Sequence, residues 1–585
     1  MRMRTISSFL IAVALIAGMV GCTPGPVQYH LIVSTTEGGE VLTPDDGTLS
    51  YDDGTVVPLV VFPHTGYRFV NWTGDVSTVA DVNAASTTIT MNGDYEITAN
   101  FEETQPIAFA IAGPMADVLG EHQWWGAELA RDEISAGLGV NVGGVYHKIE
   151  LVQVDTNEIS GSPDEGVTAL QAVIGDVDFV VGGLTPANVV VYREVAMDAQ
   201  KIFLNCGAFT DALQFSVVTN YTKYRYWFSA SHYNGIFLVW SLFKMTRTIG
   251  TVLKNTLLSY GDAVDEDYRV PEDGRLRVAI VIEDAPWADR LASSAPYLLP
   301  GYGFAVVGTC RPSPEGSNIS AELKDIAAAK PHIIFTAFQG EVAVVYSTAK
   351  ADLEIPAMTI GVNIPGEEKE HWANTGGKCN GEIQIDTWGE GLQNTGKTTG
   401  FFNAFTAETG EYPLYPAATY DAIYQLKEAI EAVSAAHHWD GIADVVDPDN
   451  IDALIQYLET SRYTGTACTT AYYPMPETNI GDGTYALSEA QVRALYPTLG
   501  TYNEVHWRCA ATAIPGPHIA HDIVYGPGYV TGIGSQWQDG HKVGVWPMDL
   551  GDDYDAALTD QYGCWNFEYP GTVDVMIPIE GFLAS

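Results

Sequence analysis

Residues 177–188 read Val177-Asp178-Phe179-Val180-Val181-Gly182-Gly183-Leu184-Thr185-Pro186-Ala187-Asn188. The stretch opens as a short apolar run and ends in small and hydroxylated residues, which is typical of a buried strand followed by a loop. Further apolar runs of this kind predict buried strands at Ile107–Ile111, Ile149–Val154, Ile202–Leu204, Val278–Ile282, Ile333–Phe335 and Met358–Ile360. Amphipathic segments such as Trp124–Ile134 lie between the runs. The sequence therefore predicts an α/β fold with parallel sheets.

The loops after these strands are the predicted place of function. In open α/β sheets, the ligand crevice lies beyond the carboxyl ends of the strands. Three of the loops are rich in small residues, namely residues 112–115, 182–188 and 205–210. Small residues let backbone amides approach a ligand, while hydroxyl and amide side chains add donors. A small-molecule crevice is the expectation.

The N-terminus carries an export signal. Arg2 and Arg4 precede the apolar run Phe9–Ala17, and small residues lead to a lone cysteine at Cys22. The run is too short to cross a bilayer comfortably. The segment resembles a bacterial lipoprotein signal, which implies removal of residues 1–21, a lipidated Cys22 and a tether over 22–27. Plain secretion without lipid is the alternative.

The net charge of the chain argues against a nucleic acid as its partner. The 585 residues include 28 Lys plus Arg against 73 Asp plus Glu, for a formal net charge of -45. A nucleic acid is bound through clustered cations that neutralise phosphates, and no basic run occurs beyond Arg2 and Arg4. Nucleic-acid binding is therefore discarded, and the acidity is interpreted as the solvated surface of an exported protein.

Residues 28–103 have a different texture and predict a small all-β domain. Tyr29, Leu31 and Val33 alternate with polar neighbours, and Asn92-Gly93 is one of several turn signals between apolar runs. The string Gly66-Tyr67-Arg68-Phe69-Val70-Asn71-Trp72-Thr73-Gly74-Asp75 resembles the divergent internalin B-repeat module of bacterial surface proteins. The resemblance implies a spacer or a weakly adhesive unit.

From about residue 107 to about 440 the chain resembles the type I periplasmic binding proteins, specifically the branched-chain amino-acid binding family of ABC importers, and residues 521–547 look like a tail seen in its long members. The whole of 107–585 is therefore expected to form the solute-binding domain. The likeness is strongest at Val180–Thr185, at Glu283-Asp284-Ala285-Pro286-Trp287 and at Thr419-Tyr420-Asp421-Ala422. It implies two lobes joined by three crossovers that close on a ligand. Lobe 1 is expected at about 107–231 and 390–440, and lobe 2 at about 232–389 and 441–585.

The same resemblance implies the first-lobe ligand contacts. Thr185 falls where a hydroxyl residue grips the ligand carboxylate, and Asn188 is expected to replace the hydroxyl that is lost at Pro186. Gly207, Ala208 and Phe209 occupy a small-small-Thr loop, from which Phe209 departs. Thr210 is expected to supply the missing hydroxyl.

The second lobe and the crossovers are expected to complete the pocket. The family supplies an aromatic residue after the first strand of that lobe, here Trp287, and residues near Gln339 after the third. Asn363 stands where an acidic residue meets the ligand ammonium. Because an amide cannot neutralise a buried ammonium, Glu341 or Asp386 would have to reach in for an α-amino acid. Leu119 and Tyr415 fall where the ligand side chain packs.

Enzymatic machinery is not recognisable in the sequence. The chain has no Gly-x-Ser-x-Gly elbow, His-Glu-x-x-His helix or Walker-type phosphate loop. Its histidine pairs are interpreted as structural, so no metal and no cofactor are expected. The leading hypothesis is an extracytoplasmic, lipid-anchored subunit that captures an amino acid, amide, urea or organic acid for an ABC permease. The alternative is a cell-surface sensor or adhesion protein that uses the β domain.

Overall fold

A computed structural model gives the fold for residues 25–45, 47–230, 235–473, 494–495, 524, 533–547 and 572–584. The chain divides between Thr104 and Gln105 into two units, each with its own hydrophobic core. The predicted signal peptide and Cys22 lie outside the described residues. Cys206, Cys310, Cys379 and Cys468 are described, and all four are free thiols.

The first unit consists of seven β-strands in two sheets, ordered β3-β1-β7-β5 and β2-β4-β6. The strands are β1 (Gln28–Thr35), β2 (Gly39–Thr43), β3 (Gly47–Asp52), β4 (Val56–Pro63), β5 (Tyr67–Gly74), β6 (Ser86–Thr90) and β7 (Tyr95–Glu103). Leu31 and Val33 are buried between exposed neighbours, as the alternation predicts. Trp72 is also buried and donates its indole N–H to the carbonyl of Ala84 at 3.0 Å. The aromatic centre of the quoted string is therefore part of the core of this unit.

The second unit opens with a five-stranded parallel sheet in the order β11-β8-β12-β13-β14. Its first strands and helices are β8 (Ile107–Gly113), α1 (Val118–Ala136), β9 (Val140–Val142), β10 (Val145–His147), β11 (Ile149–Asp155), α2 (Pro163–Val173) and β12 (Phe179–Gly182). The remaining ones are α3 (Pro186–Asp198), β13 (Phe203–Asn205), α4 (Asp211–Thr219), α5 (Tyr221–Tyr224) and β14 (Trp227–Ser229). Every residue of β8 is buried, because helices cover both faces of a parallel sheet. This sheet and its helices are called the first lobe.

A second parallel sheet follows, in the order β16-β15-β17-β18-β19. Its first strands and helices are α6 (Gly235–Tyr260), β15 (Leu276–Ile282), α7 (Asp289–Gly301), β16 (Phe304–Cys310), α8 (Ile319–Ala328) and β17 (Ile333–Phe338). They are followed by α9 (Val342–Asp352), β18 (Met358–Asn363), α10 (Ile364–Glu367), α11 (His371–Asn374) and β19 (Ile383–Asp386). This sheet and the helices on it are called the second lobe.

The chain then returns to the first lobe. The returning elements are α12 (Thr398–Thr409), α13 (Thr419–His437), α14 (Ile442–Val445), α15 (Ile451–Thr460), β20 (Tyr463–Thr464) and β21 (Thr469–Thr470). Helix α13 packs on α1 and on α15, and Tyr472 donates a hydrogen bond to Gln425 of α13 at 2.8 Å. Residues 451–473 therefore lie with the first lobe, whereas the predicted boundary places everything after residue 440 in the second.

A hairpin completes the second sheet. Strands β22 (Ile533–Gln538) and β23 (His541–Trp546) are antiparallel, and β22 pairs with β19. Asp539 and Gly540 both have positive φ angles, 49° and 93°, as a tight type I′ turn requires. The Asp-Gly pair thus forms the two-residue loop of this hairpin. The described segments therefore lie in turn with the first sheet, the second sheet, the first sheet and the second sheet.

Candidate functional site

The loops at the carboxyl ends of the two parallel sheets meet in one apolar cluster. Leu119 follows β8, Leu184 follows β12, and Leu414 lies in the segment that returns to the first lobe; all three are buried together. Ile364, which follows β18 of the second lobe, packs against them beside Tyr415. The predicted residues Leu119 and Tyr415 are thus brought together between the lobes, at the edges where α/β sheets bind ligands.

Thr185 and Asn188 are held by a glutamate that the sequence reading missed. Glu158 lies in the loop after β11 and is only 4% exposed. Its Oε2 accepts the Thr185 N–H at 2.6 Å and the Thr185 hydroxyl at 2.8 Å. Asn188 donates its amide to the Glu158 carbonyl at 3.1 Å and to the Thr185 Oγ1 at 2.7 Å. These three residues are called the first-lobe mouth.

The Glu158 carboxyl has further donors around its other oxygen. Oε1 accepts the hydroxyls of Thr156 at 2.8 Å and of Tyr192 at 3.3 Å. Burial raises the pKa of this carboxyl, and the hydrogen bonds from Thr185 and Thr156 act in the opposite direction. The only sequence signal for this role is an acidic residue in a loop that follows a predicted strand.

The loop after β13 is closely fitted to the loop after β12. A Cβ at Gly207 would lie 2.6 Å from the carbonyl oxygen of Gly183, so a larger residue would push the two loops apart. Asn205 holds Ala208 through two hydrogen bonds of 3.0 Å, one to its N–H and one to its carbonyl. Gly207 and Ala208 therefore shape the loop and hold its backbone.

Phe209 and Thr210, at the end of this loop, have different roles. The Phe209 ring lies 5.0 Å from the Tyr415 ring, measured between centroids. The Thr210 hydroxyl accepts the N–H of Ala212 and caps helix α4. Phe209 belongs to the aromatic group between the lobes, while the Thr210 oxygen serves its own helix.

The second lobe has a corresponding arrangement around Glu283, which follows β15 and is 2% exposed. Its Oε2 accepts the backbone N–H groups of Gln339 at 2.8 Å and Gly340 at 2.9 Å, and its Oε1 accepts the indole N–H of Trp287. Trp287 remains 40% exposed. Glu283, Trp287 and Gln339 are called the second-lobe mouth.

Of the three residues considered for pairing a ligand ammonium, Asn363 and Asp386 have other partners. The Asn363 side chain accepts the N–H of Gly366 at 2.9 Å and caps helix α10. Asp386 forms a fully buried ion pair with Lys542 at 2.7 Å and accepts the Ser535 hydroxyl at 2.7 Å. Glu341 is exposed at the start of α9.

Three carboxyl groups act electrostatically on the Tyr415 hydroxyl. Burial raises the pKa of the Tyr415 hydroxyl, and the charges of Glu367, Glu158 and Asp117 raise it further. Glu367 is 3% exposed, and its Oε2 has no hydrogen-bond partner. Burial raises the pKa of Glu367, as does the charge of Asp386, against the opposing effect of Lys542. The cleft region is therefore rich in carboxyl oxygens that can accept hydrogen bonds.

A separate groove of about 870 Å³ lies on the first lobe beside the β9–β10 hairpin. Tyr146, Tyr424 and Trp439 are among its lining residues, and no predicted ligand residue is among them. The groove lies at the C-terminal end of helix α1, whereas Leu119 lies at the N-terminal end of the same helix. The groove is a feature distinct from the interlobe site.

Two further findings concern only the described part of the chain. Within it, no helix has the length and apolar character needed to span a membrane. No group of three or more His, Cys, Asp or Glu side chains in the described ranges is arranged to hold a metal ion.

Two protein families match the chain, one for each unit. The family described as Periplasmic binding protein matches residues 107–476. The family described as Divergent InlB B-repeat domain matches residues 29–105. No curated protein matches the chain.

Solved structures are also similar to the chain. A putative branched-chain amino acid ABC transporter protein from Silicibacter pomeroyi has 17% identity and a TM-score of 0.53, over 80% of this chain and 99% of that chain. A leucine-, isoleucine-, valine-, threonine- and alanine-binding protein from Brucella ovis, in a closed conformation, has 16% identity and a TM-score of 0.48, over 66% of this chain and 88% of that one. The first likeness confirms the predicted two-lobed fold with parallel sheets.

Proposed function

The chain belongs to the periplasmic binding protein family, and we propose that it captures a small solute between its two lobes and delivers it to the permease of an ABC importer. The observation that carries the proposal is the meeting of Leu119, Leu184 and Leu414 with Ile364 of the opposite lobe. Loops from the carboxyl ends of two separate sheets converge there, as a shared ligand crevice requires.

The two mouths suit capture by closure. Glu158 fixes the backbone of the first-lobe loop, and Glu283 fixes that of the second, so both loops are preorganised before a ligand arrives. The exposed part of Trp287 offers apolar area that a solute and the opposite lobe would bury. A ligand that contacts both mouths favours the closed state, because only that state makes both sets of contacts.

The proposed solute is small and polar or amphipathic, and the proposed role is binding rather than catalysis. Amino acids, amides, ureas and organic acids are the classes that the first screen should contain. The cleft offers aromatic and aliphatic surface beside fixed polar groups, which is the usual composition of a small-molecule site.

The proposed location is outside the cytoplasm, with the mature chain held on the membrane by lipid at Cys22 and raised from it by the β unit. The export signal at residues 1–21 and the family of the larger unit support this location. Mass spectrometry of the mature N-terminus tests the anchor. A diacylglyceryl Cys22 is expected, and a Cys22→Ser variant should leave the membrane fraction.

A thermal-shift screen tests the capture of a solute. At a concentration about 100 times its Kd, a ligand adds about 2.7 kcal/mol to the stability of the folded state. The expected result is a raised Tm with one chemical class and a smaller rise in a Trp287→Ala variant. No rise with any compound of a broad panel would contradict the proposal.

Deletion of the β unit distinguishes solute capture from a role in surface adhesion or sensing. If the β unit is a spacer, a chain that lacks residues 28–103 keeps its ligand affinity and supports solute uptake in the producing cell. Loss of function with unchanged ligand affinity would instead favour the adhesion or sensor role.

A further inference from the structure

We infer that the solute presents a cationic nitrogen group to the cleft and carries no carboxylate. This inference rests on the proposed function and specifies the chemical class of the ligand. It depends on three features of the cleft: the donors that Glu158 occupies, the two buried acceptors that have no partner, and the pairing of the nearby cations.

The first feature concerns the donors of Thr185. Its N–H and its hydroxyl both donate to the same oxygen of Glu158, at 2.6 and 2.8 Å. A ligand carboxylate would need these donors and would meet a negative charge already bound to them. Because two like charges repel strongly in a buried site, Glu158 excludes a second carboxylate from the first-lobe mouth.

The second feature is a pair of buried acceptors without donors. Asn188 is 8% exposed, and its Oδ1 has no hydrogen-bond partner. The orientation of its amide is fixed, because the Glu158 carbonyl can only accept and so requires the Nδ2 of Asn188 to face it. Glu367 is 3% exposed, and its Oε2 also lacks a partner.

Unpaired buried acceptors are costly, and a ligand rich in N–H groups removes that cost. Ile364, at the start of α10, packs with Tyr415 in the apolar cluster between the lobes, and Glu367 ends the same four-residue helix. An ammonium, amidinium or guanidinium group supplies the donors and the positive charge together.

The third feature is the pairing of the cations. Lys542 is fully buried against Asp386 and donates to the carbonyl of Glu367 at 2.7 Å. Arg311, beside the second-lobe mouth, donates to the Glu283 carbonyl at 3.1 Å and to Asp289 at 2.8 Å. These two side chains are already satisfied and are poor partners for a ligand anion.

The test uses matched compounds that differ only in the carboxylate. Isoamylamine is compared with leucine, agmatine with arginine, and phenethylamine with phenylalanine, with 4-methylpentanoate and benzoate as anions without an amine. The full mature chain is examined by thermal shift and then by calorimetric titration. The expected result is binding of at least one amine and no binding of its amino acid or of either acid.

The other outcomes are distinct. Binding of an amino acid or of an acid, with affinity equal to or above that of the amine, overturns the cationic class and leaves the proposed function standing. No binding by any compound counts against solute capture and overturns both.

Two isosteric variants test which carboxyl group interacts with the cationic group of the ligand. Glu367→Gln should weaken amine binding about tenfold or more, because a charge-assisted hydrogen bond becomes a neutral one. Glu158→Gln should reduce the discrimination against the matched amino acid. Glu354→Gln is the control, since Glu354 is exposed at the end of α9, at the opposite edge of the second sheet. Equal amine affinities in all three variants would overturn the inference.

Discussion

The first-lobe mouth and the second-lobe mouth are each held by a buried glutamate, but they present different surfaces to a ligand. In each, a glutamate after a β-strand accepts hydrogen bonds from a loop that follows another strand of the same sheet. Glu158 takes both donors of Thr185 and is surrounded by further hydroxyls. Glu283 holds two backbone amides and the edge of Trp287, which stays 40% exposed. The first mouth therefore offers fixed acceptors, and the second offers an aromatic surface.

The largest expected effect comes from removing the glutamate of the first mouth. Glu158→Ala leaves the buried hydroxyl of Thr156 and the partly buried N–H and hydroxyl of Thr185 without their acceptor. Each such group costs about 1–3 kcal/mol, so the free energy of unfolding should fall by about 3–5 kcal/mol in a urea titration.

Glu150→Ala serves as the control for this variant, since Glu150 is exposed on strand β11 and should change stability by about 0.5 kcal/mol or less. If Glu158→Ala were as stable as the control, Glu158 would not hold the first mouth together.

The second mouth should tolerate the matching change better. Glu283→Ala removes the acceptor of the backbone N–H groups of Gln339 and Gly340. Because Gln339 is exposed, its backbone N–H can donate to water instead. Glu283→Ala should therefore lower the free energy of unfolding by about 1–3 kcal/mol, which is a smaller decrease than the one expected for Glu158→Ala. A larger loss than at Glu158 would reverse the comparison between the mouths.

Two buried histidines, one in each lobe, should make the free energy of unfolding fall at acidic pH. His122 of α1 has its pKa lowered to about 3, and His371 of α11 has its pKa lowered to about 4, each by burial and then by Lys542. The folded state binds fewer protons than the unfolded state between these values and the ordinary pKa of 6.5. Stability is therefore present at pH 7 and is lost as the pH falls through this window.

His371→Leu tests this effect because neither ring nitrogen of His371 has a hydrogen-bond partner. Between pH 7 and pH 5 the variant should lose about 2 kcal/mol less unfolding free energy than the natural chain, measured by urea titration at each pH. His437→Gln, at an exposed position, should follow the natural pH dependence. Identical pH curves for all three chains would contradict the assignment to His371.

The smallest effect on stability is expected at Trp287. Because the side chain is partly exposed, Trp287→Ala should lower the free energy of unfolding by about 1 kcal/mol or less. The same change should raise the Kd of a bound solute about tenfold, since a buried aromatic contact is lost on closure. An unchanged Kd would mean that the exposed ring does not face the ligand.

Much of the fold could be predicted from the sequence, because its strands are continuous apolar runs. All seven predicted strands of the larger unit are present, from Ile107–Gly113 to Met358–Asn363. The strand at Ile383–Asp386 was missed because Gln384 and Asp386 are polar. Their partners, Ser535 and Lys542, lie about 150 residues away in the chain. The edge strand Phe304–Cys310 was missed because it is only half buried.

The site was less predictable, for a physical reason. The sequence indicates which loops carry hydroxyl and amide groups, such as Thr185 and Asn363, but not what those groups already bind. Glu158 lies 27 residues before Thr185, and Gly366 is the unforeseen partner of Asn363. Hydrogen bonds within the site, fixed only by the folded chain, therefore decide which donors and acceptors remain for a ligand.

Hydrogen exchange tests the central claim, capture between the two lobes, most directly. The mature chain is compared with and without a compound that raises its Tm, and amide protection is followed by mass spectrometry. Protection should increase in peptides that cover residues 182–188 and in those that cover 283–288, and remain unchanged over 28–103. Protection confined to one lobe, or appearing over 28–103, would contradict the account.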